Sequence, residues 1–435
     1  MWAEESVFYQ IYPLGFCGCP RENDGIYANR IEKVISWIPH MKALGVNAIY
    51  FSPVFSSDTH GYNTRDYTQI DCRLGSNENF AKVCRELHKE GIRVVLDGVF
   101  NHVGRGFFAF QDVLKNREQS RYKDWFARID FWGDSCYHDG LWYEGWEGNY
   151  DLVKLNLGNE EVIHHIFEAI AGWVREFDID GLRLDVAYLL PEYFARRLRE
   201  FTSGLKQDFF LVGEMLHGDY NRLMNDQMLH SVTNYECYKG LYSSFNSMNM
   251  FEIVHSLLRQ FGPENWTLYK GKHLLCFVDN HDVTRVASIL QNEKHLPLIY
   301  TLLFGMPGIP CVYYGSEWAA KADKSQGDWE LRPSFDAPVW NSLTNHIAKL
   351  SQIKKTSEAL CYGSFVSKVL QNKFCMFERR SEHERIFVAV NAGEEECRMY
   401  TDFGCEKGYD LLNDIEVDLR DGLCMAGYSS RILKL

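Results

Sequence analysis

Four things are scarce or missing in this 435-residue chain, and each narrows what it can be. Positive charge is short: 46 Lys and Arg stand against 59 Asp and Glu, a formal balance of −13 that repels phosphate backbones and anionic lipid. Neither nucleic acid nor a membrane surface is expected as a partner. No apolar run approaches the ~20 residues needed to span a bilayer. The N-terminus, Met1-Trp2-Ala3-Glu4-Glu5, has neither a basic start nor an apolar stretch, so no secretory leader is expected. Thirteen cysteines, an odd number, make no C-x-x-C pair and mostly sit in apolar runs such as those around Cys276 and Cys311. They read as reduced thiols of a cytoplasmic protein. The one-residue spacing of Cys17 and Cys19 would strain a disulfide. Repeats and low-complexity tracts are also absent.

What is present is an ordinary globular composition, 46% hydrophobic and 14% aromatic, in a chain long enough for two or three domains or one large barrel with an appendage. From Val7 to about Tyr314, short β-rich runs alternate with helical patterns. The strand candidates are Val7–Ile11, Ala48–Phe51, Val94–Gly98, Gly181–Asp185, Phe210–Gly213, Ser231–Thr233, Leu274–Val278 and Cys311–Tyr313. Eight such runs predict a (β/α)8 TIM barrel over residues 1–103 and 158–356. Residues 104–157, dense in Trp, Tyr, Gly and Asp, are too long for an ordinary βα loop and read as an inserted subdomain after strand three. Residues 357–435 turn to alternating patterns and read as a C-terminal antiparallel β-sandwich domain.

The most informative stretch is Gly181-Leu182-Arg183-Leu184-Asp185, which puts Arg183 and Asp185 on one face of a strand and Leu182 and Leu184 on the other. Active sites of barrels lie at the C-terminal ends of the strands, and four ends here carry polar groups. They are Asp97-Gly98-Val99-Phe100-Asn101-His102, Arg183-Leu184-Asp185, Gly213-Glu214 and Asp279-Asn280-His281-Asp282. An acid-rich mouth serves either metal-assisted chemistry or acid–base and nucleophilic work at a sugar. No local ligand motif such as His-Glu-x-x-His favours a metal. Retaining glycoside cleavage needs two carboxyls about 5–5.5 Å apart, and parallel strands ~4.8 Å apart can supply that spacing from strands four and five. On this reading Arg183 holds Asp185 ionised, and partial burial raises Glu214 for acid work.

These four segments, in this order and on these strands, resemble those of the α-amylase superfamily, glycoside hydrolase family 13, over nearly the whole chain. The resemblance implies that Asp185 is the nucleophile, Glu214 the general acid/base and Asp282 the third acid that favours the transition state. It implies that Tyr62 stacks on the sugar, and that His102, Arg183 and His281 donate to it. Asp328 and Arg332 look like the family's pair near the non-reducing sugar hydroxyls. No cofactor and no metal is expected.

Within the superfamily the sequence looks most like the cyclomaltodextrinase, neopullulanase and maltogenic amylase group. Val153-Lys154-Leu155-Asn156 resembles a segment of its inserted domain, and Lys154 leans toward α-1,4 substrates. The group's N-terminal β-domain is not expected, since Val7 already begins strand one, and the oligomeric state is left open. Leu216 stands where the group often has Trp, and Tyr188 and Leu189 where secreted amylases carry Lys-His. Trp142, Tyr143, Trp146 and Trp329 are candidate stacking platforms. The function implied is hydrolysis of α-1,4 bonds in short α-glucan oligosaccharides or cyclodextrins, with possible transglycosylation. An α-glucosidase or glucosyltransferase acting on disaccharides, and a non-catalytic sugar-binding homologue, remain as alternatives.

Overall fold

The computed structural model describes residues 1–435. Eight parallel strands, counted along the chain, are Phe8–Ile11, Ala48–Phe51, Arg93–Gly98, Gly181–Leu184, Phe210–Gly213, Ser231–Val232, Leu275–Cys276 and Ile309–Tyr313. They lie in the order six-five-four-three-two-one-eight-seven, and a parallel bridge from Thr233 to Leu275 joins the two edges into a closed barrel. All residues of strands one, two, four and five are buried, because side chains fill the inside and helices cover the outside.

Most barrel helices form where the 3.6-residue stripe predicts them. Glu160–Phe177 buries Val162, Ile163, Ile166, Ile170, Trp173 and Phe177. Its N-cap Asn159 accepts from the Glu161 N–H at 2.9 Å. A helix over Tyr235–Asn246, after strand six, was not anticipated.

Between strand three and the helix Glu160–Phe177, the chain builds a three-stranded sheet from His102–Gly104, Gly145–Trp146 and Asn149–Lys154, with a helix over Phe108–Asn116. After the barrel, six antiparallel strands run in the spatial order Ser364–Leu370, Phe374–Arg380, Arg385–Asn391, Ser429–Lys434, Lys407–Asp410 and Ile415–Asp418. One face of this sheet meets the pair Cys397–Met399 and Leu423–Met425 over a core of Met376, Phe387, Met399, Leu423, Met425 and Leu433. The other face joins the barrel's outer core through Phe377, Val388 and Ile432. Two buried cations stitch this seam. Arg379 donates to the carbonyls of Gly305, Gly363 and Ser364 at 2.9, 3.0 and 3.3 Å. Lys354 donates to those of Gly308 and Leu360 at 3.0 and 2.6 Å. The Gly305 carbonyl ends the helix Leu296–Gly305, where the negative end of the dipole suits a cation.

Candidate active site

Inward-facing positions change character along the barrel axis. At the bottom they are apolar, with Phe8, Ala48, Val95, Phe210, Val212 and Ile309 packed together. Two residues further up, the same faces carry Gln10, Asp97 and Arg183, and beyond the strand ends Asp185 and Glu214. The register fixes who meets whom. Arg183 lies between Asp97 and Val212, and Leu184 pairs with Gly213, so the next residues, Asp185 and Glu214, leave their strands side by side.

Arg183 is the hub. Its Nη1 donates to Asp97 Oδ1 at 3.0 Å and Asp185 Oδ1 at 2.8 Å, while Nη2 meets Glu214 Oε1 at 2.9 Å. One planar guanidinium thus holds three buried carboxyls. The other Glu214 oxygen accepts from the Val186 N–H at 3.0 Å. Val186 is a β-branched residue at φ 41°, a strained left-handed conformation that turns this N–H onto Glu214. Tyr50 and Tyr62 both donate to Asp97 Oδ2, at 3.0 and 3.1 Å. Burial pushes the Asp185 carboxyl well above its usual range, and Glu214 and Asp97 push the same way against Arg183. This corrects the expectation that Arg183 holds Asp185 ionised: burial and two neighbouring carboxyls outweigh a cation shared three ways.

A second cluster stands across the mouth. Asp282 pairs with Arg332 Nη2 and His281 Nε2, both at 2.9 Å. Burial opposes ionisation there, but His281 and Arg332 outweigh it and hold Asp282 well below the usual carboxylate range. His281 Nδ1 meets Gln10 at 2.8 Å, its Nε2 also meets the Tyr62 hydroxyl, and the two rings stack at 5.6 Å. Burial pushes His102 down to about 3, so its ring is neutral; Nε2 has no hydrogen-bond partner and lies 3.8 Å from Asp185 Oδ2. A donor or acceptor facing a cavity in this way is ready for a ligand hydroxyl.

The cavity between these clusters measures about 640 Å³. Of the nine residues expected from sequence, Tyr62, His102, Asp185, Glu214, Asp282, Asp328 and Arg332 line it, Arg183 lies beneath, and His281 supports Asp282 from behind. Asp328 sits at the rim, half exposed, 3.9 Å from Arg332. Among the aromatic platforms, Trp146 and Trp329 line the cavity. Trp142 and Tyr143 do not: Trp142 donates to the Tyr150 hydroxyl at 3.0 Å, and Tyr143 is buried against Phe110. Lys154 pairs with Glu144 at 2.6 Å and is absent from the lining. Sequence reasoning missed Gln10, Tyr50 and Tyr235, whose hydroxyl reaches Glu214 at 3.5 Å. Inward parity in strands one and two could have found the first two. It also missed the His60–Asp151 contact at 3.7 Å, which joins the rim to the inserted sheet.

Comparisons with known proteins agree with this architecture. The family described as alpha amylase, catalytic domain, matches residues 10–360. A cyclomaltodextrinase from Thermoanaerobacter pseudethanolicus is 30% identical over 416 residues, which is 90% of this chain and 70% of the relative. Neopullulanase 2 from Thermoactinomyces vulgaris is 34% identical over 339 residues, 73% of this chain and 57% of that one. Among solved structures, the cyclic α-maltosyl-(1→6)-maltose hydrolase from Arthrobacter globiformis, in complex with cyclic α-maltosyl-(1→6)-maltose, superposes with a TM-score of 0.84 at 26% identity, covering 100% of this chain and 99% of that one. A closed parallel barrel with paired acids at its mouth, and a family match spanning the whole barrel, lead to one conclusion: the chain belongs to the α-amylase family of glycoside hydrolases.

Proposed function

We propose that the chain cleaves α-1,4-glucosidic bonds of short maltooligosaccharides or cyclodextrins with retention of configuration. Asp185 is the nucleophile, Glu214 the general acid/base and Asp282 the third acid. The observation that carries this reading is the Arg183 fork, which holds Asp185 and Glu214 side by side at the mouth of a sugar-sized cavity. Their strands are hydrogen-bonded neighbours, ~4.8 Å apart, close to the ~5–5.5 Å carboxyl spacing of retaining enzymes. The chemistry requires Asp185 ionised and a proton on Glu214 when the substrate reacts. Asp185 attacks the anomeric carbon as Glu214 protonates the leaving oxygen, and a covalent β-glycosyl enzyme forms. Water, or a second sugar hydroxyl, then gives its proton to Glu214 and restores the α configuration. Arg183, His102 and Arg332 strengthen their contacts as the oxocarbenium-like state develops. Tyr62 and Asp328 complete the sugar contacts, and His281 orients Asp282.

In this reading residues 104–157 form one wall of the site, and residues 357–435 support the barrel from outside. The substrate class follows the curated relatives, which are named cyclomaltodextrinase, maltogenic amylase and neopullulanase. A cytoplasmic location follows a relative named intracellular maltogenic amylase. Incubation with maltose, maltotriose, β-cyclodextrin, panose, trehalose and sucrose, with products resolved by chromatography, tests the reading. Glucose and maltose released from maltotriose and the ring are expected. Turnover confined to the disaccharides would replace this reading with a disaccharide-directed glucosidase.

A further inference from the structure

Glu214 meets three donors, and they divide unequally between its two oxygens. Oε1 takes Arg183 Nη2 at 2.9 Å and the Tyr235 hydroxyl at 3.5 Å, while Oε2 takes only the Val186 N–H, at 3.0 Å. The direction of the Tyr235 bond follows from its neighbours. The Asp282 N–H can only donate, so the Asn280 oxygen that meets it at 2.8 Å fixes that amide, and Asn280 Nδ2 faces the Tyr235 oxygen at 3.0 Å. Tyr235 must accept there, and its own proton therefore points to Glu214. Packing holds the pose: Tyr235 is the first residue of the helix Tyr235–Asn246, and its ring lies edge-on to Phe277 at 5.0 Å and to Tyr238 at 6.1 Å. Burial, Glu214 and Asp282 all push the hydroxyl well above the usual tyrosine range, so it keeps its proton.

A carboxylate oxygen offers about two lone pairs. Both on Oε1 face donors, and one on Oε2 is left open. We infer that Tyr235 is a positioning residue for proton transfer: with Arg183 it anchors Oε1, leaves Oε2 to exchange the proton with the sugar oxygen, and supports the charge that the acid acquires. The assignment rests on the glycosidase reading above. In the first step the Oε2–H bond breaks and its proton goes to the leaving oxygen, which takes the electron pair of the glycosidic bond; Glu214 becomes a carboxylate. Tyr235 donates more strongly to that carboxylate than to the neutral acid, so its effect grows in the transition state rather than in binding. The 3.5 Å separation exceeds the ~2.5–3.0 Å of a good O–H···O bond, which leaves the contact room to shorten as the charge appears.

Aryl α-maltosides whose phenols differ in acidity test this, because the sugar and the bulk of the leaving group stay alike while the need for a proton changes. In Tyr235→Phe, kcat/KM on phenyl α-maltoside should fall about tenfold or more, as expected for one lost hydrogen bond to a charged group. The loss should shrink as the phenol becomes more acidic, so that the slope of log kcat/KM against leaving-group pKa steepens; 4-nitrophenyl α-maltoside, which needs the proton least, also reports that the variant is folded. An unchanged slope, with an equal loss on every member or with no loss at all, would overturn the assignment, since a lost packing contact or a damaged fold lowers all members together. If the unaltered chain cleaves neither these substrates nor maltotriose, the glycosidase reading falls first and takes this one with it.

Discussion

Replacing Asp185 with Asn probes the electrostatics of the site through stability as well as activity. Asp185 is 6% exposed and shares Arg183 with Asp97 and Glu214. At an effective dielectric constant of about 20 and separations of ~4–5 Å, each neighbouring carboxylate costs ~3–4 kcal/mol and the guanidinium returns about as much. Were all three carboxyls ionised, two neighbours against one cation would leave roughly 3 kcal/mol of uncompensated repulsion, before desolvation is counted. An amide keeps the shape and still accepts from Arg183, so Asp185→Asn should be more stable by ~1–3 kcal/mol at neutral pH. With ~2.1 cal/mol/K of unfolding entropy per residue, a 435-residue chain melting as one unit gains about 1–3 °C. The pH dependence follows from the raised carboxyl: between the ordinary carboxylate value and its own, folded Asp185 keeps a proton that the unfolded chain has released. Stability of the unaltered protein therefore falls as pH climbs through that window. The variant's advantage vanishes below about pH 4 and grows above it, while kcat/KM drops by ~10⁴-fold or more. Calorimetry at acidic and mildly alkaline pH reads the difference. A variant that melts lower at alkaline pH, or gains equally at both, would refute the shared-cation account.

Arg332→Lys should lower kcat/KM about 10²-fold, because a lysine cannot reach both Asp282 Oδ1 and the His281 carbonyl, which Arg332 meets at 2.9 and 3.1 Å; steady-state kinetics on maltotriose checks it. His102, pushed down to about 3, stays neutral across the working range, so His102→Asn should reduce kcat without moving the acid limb of the pH–rate profile. A shifted limb would mean that His102 titrates. Arg379→Met strands the buried Gly305 carbonyl and loosens two partly buried ones, and should cost about 1–3 kcal/mol in urea unfolding, with little change in KM.

Most of the barrel was legible because its strands are dense β-rich runs. Ala48–Phe51 and Phe210–Gly213 lie where the pattern puts them, and most of the others shift by a residue or two. The helix Tyr235–Asn246 was hidden for a physical reason. Its buried face is Cys237, Gly240, Leu241, Ser244 and Phe245, small and weakly hydrophobic residues that give no clear stripe. Small residues are needed there: a Cβ on Gly240 would come within 3.3 Å of the Ile253 backbone in the next helix. The acids of the site were legible from strand ends, but their charge states were not. Arg183 reaches Glu214 only through the register of two strands, and in sequence Glu214 has no cation near it. The likeness of Trp142, Tyr143, Trp146 and Trp329 as sugar platforms shows the same limit, since composition does not reveal which ring faces inward.

The five carbonyls gripped by Arg379 and Lys354 belong to segments on either side of the barrel's outer boundary. Prising the terminal sheet away would break the two bonds that cross the seam, Arg379 to the Gly305 carbonyl and Lys354 to that of Leu360, and leave a buried cation on each side short of a partner. Heat should accordingly unravel the whole chain in a single event, and clipping it near residue 356 should deprive the barrel of its own solubility.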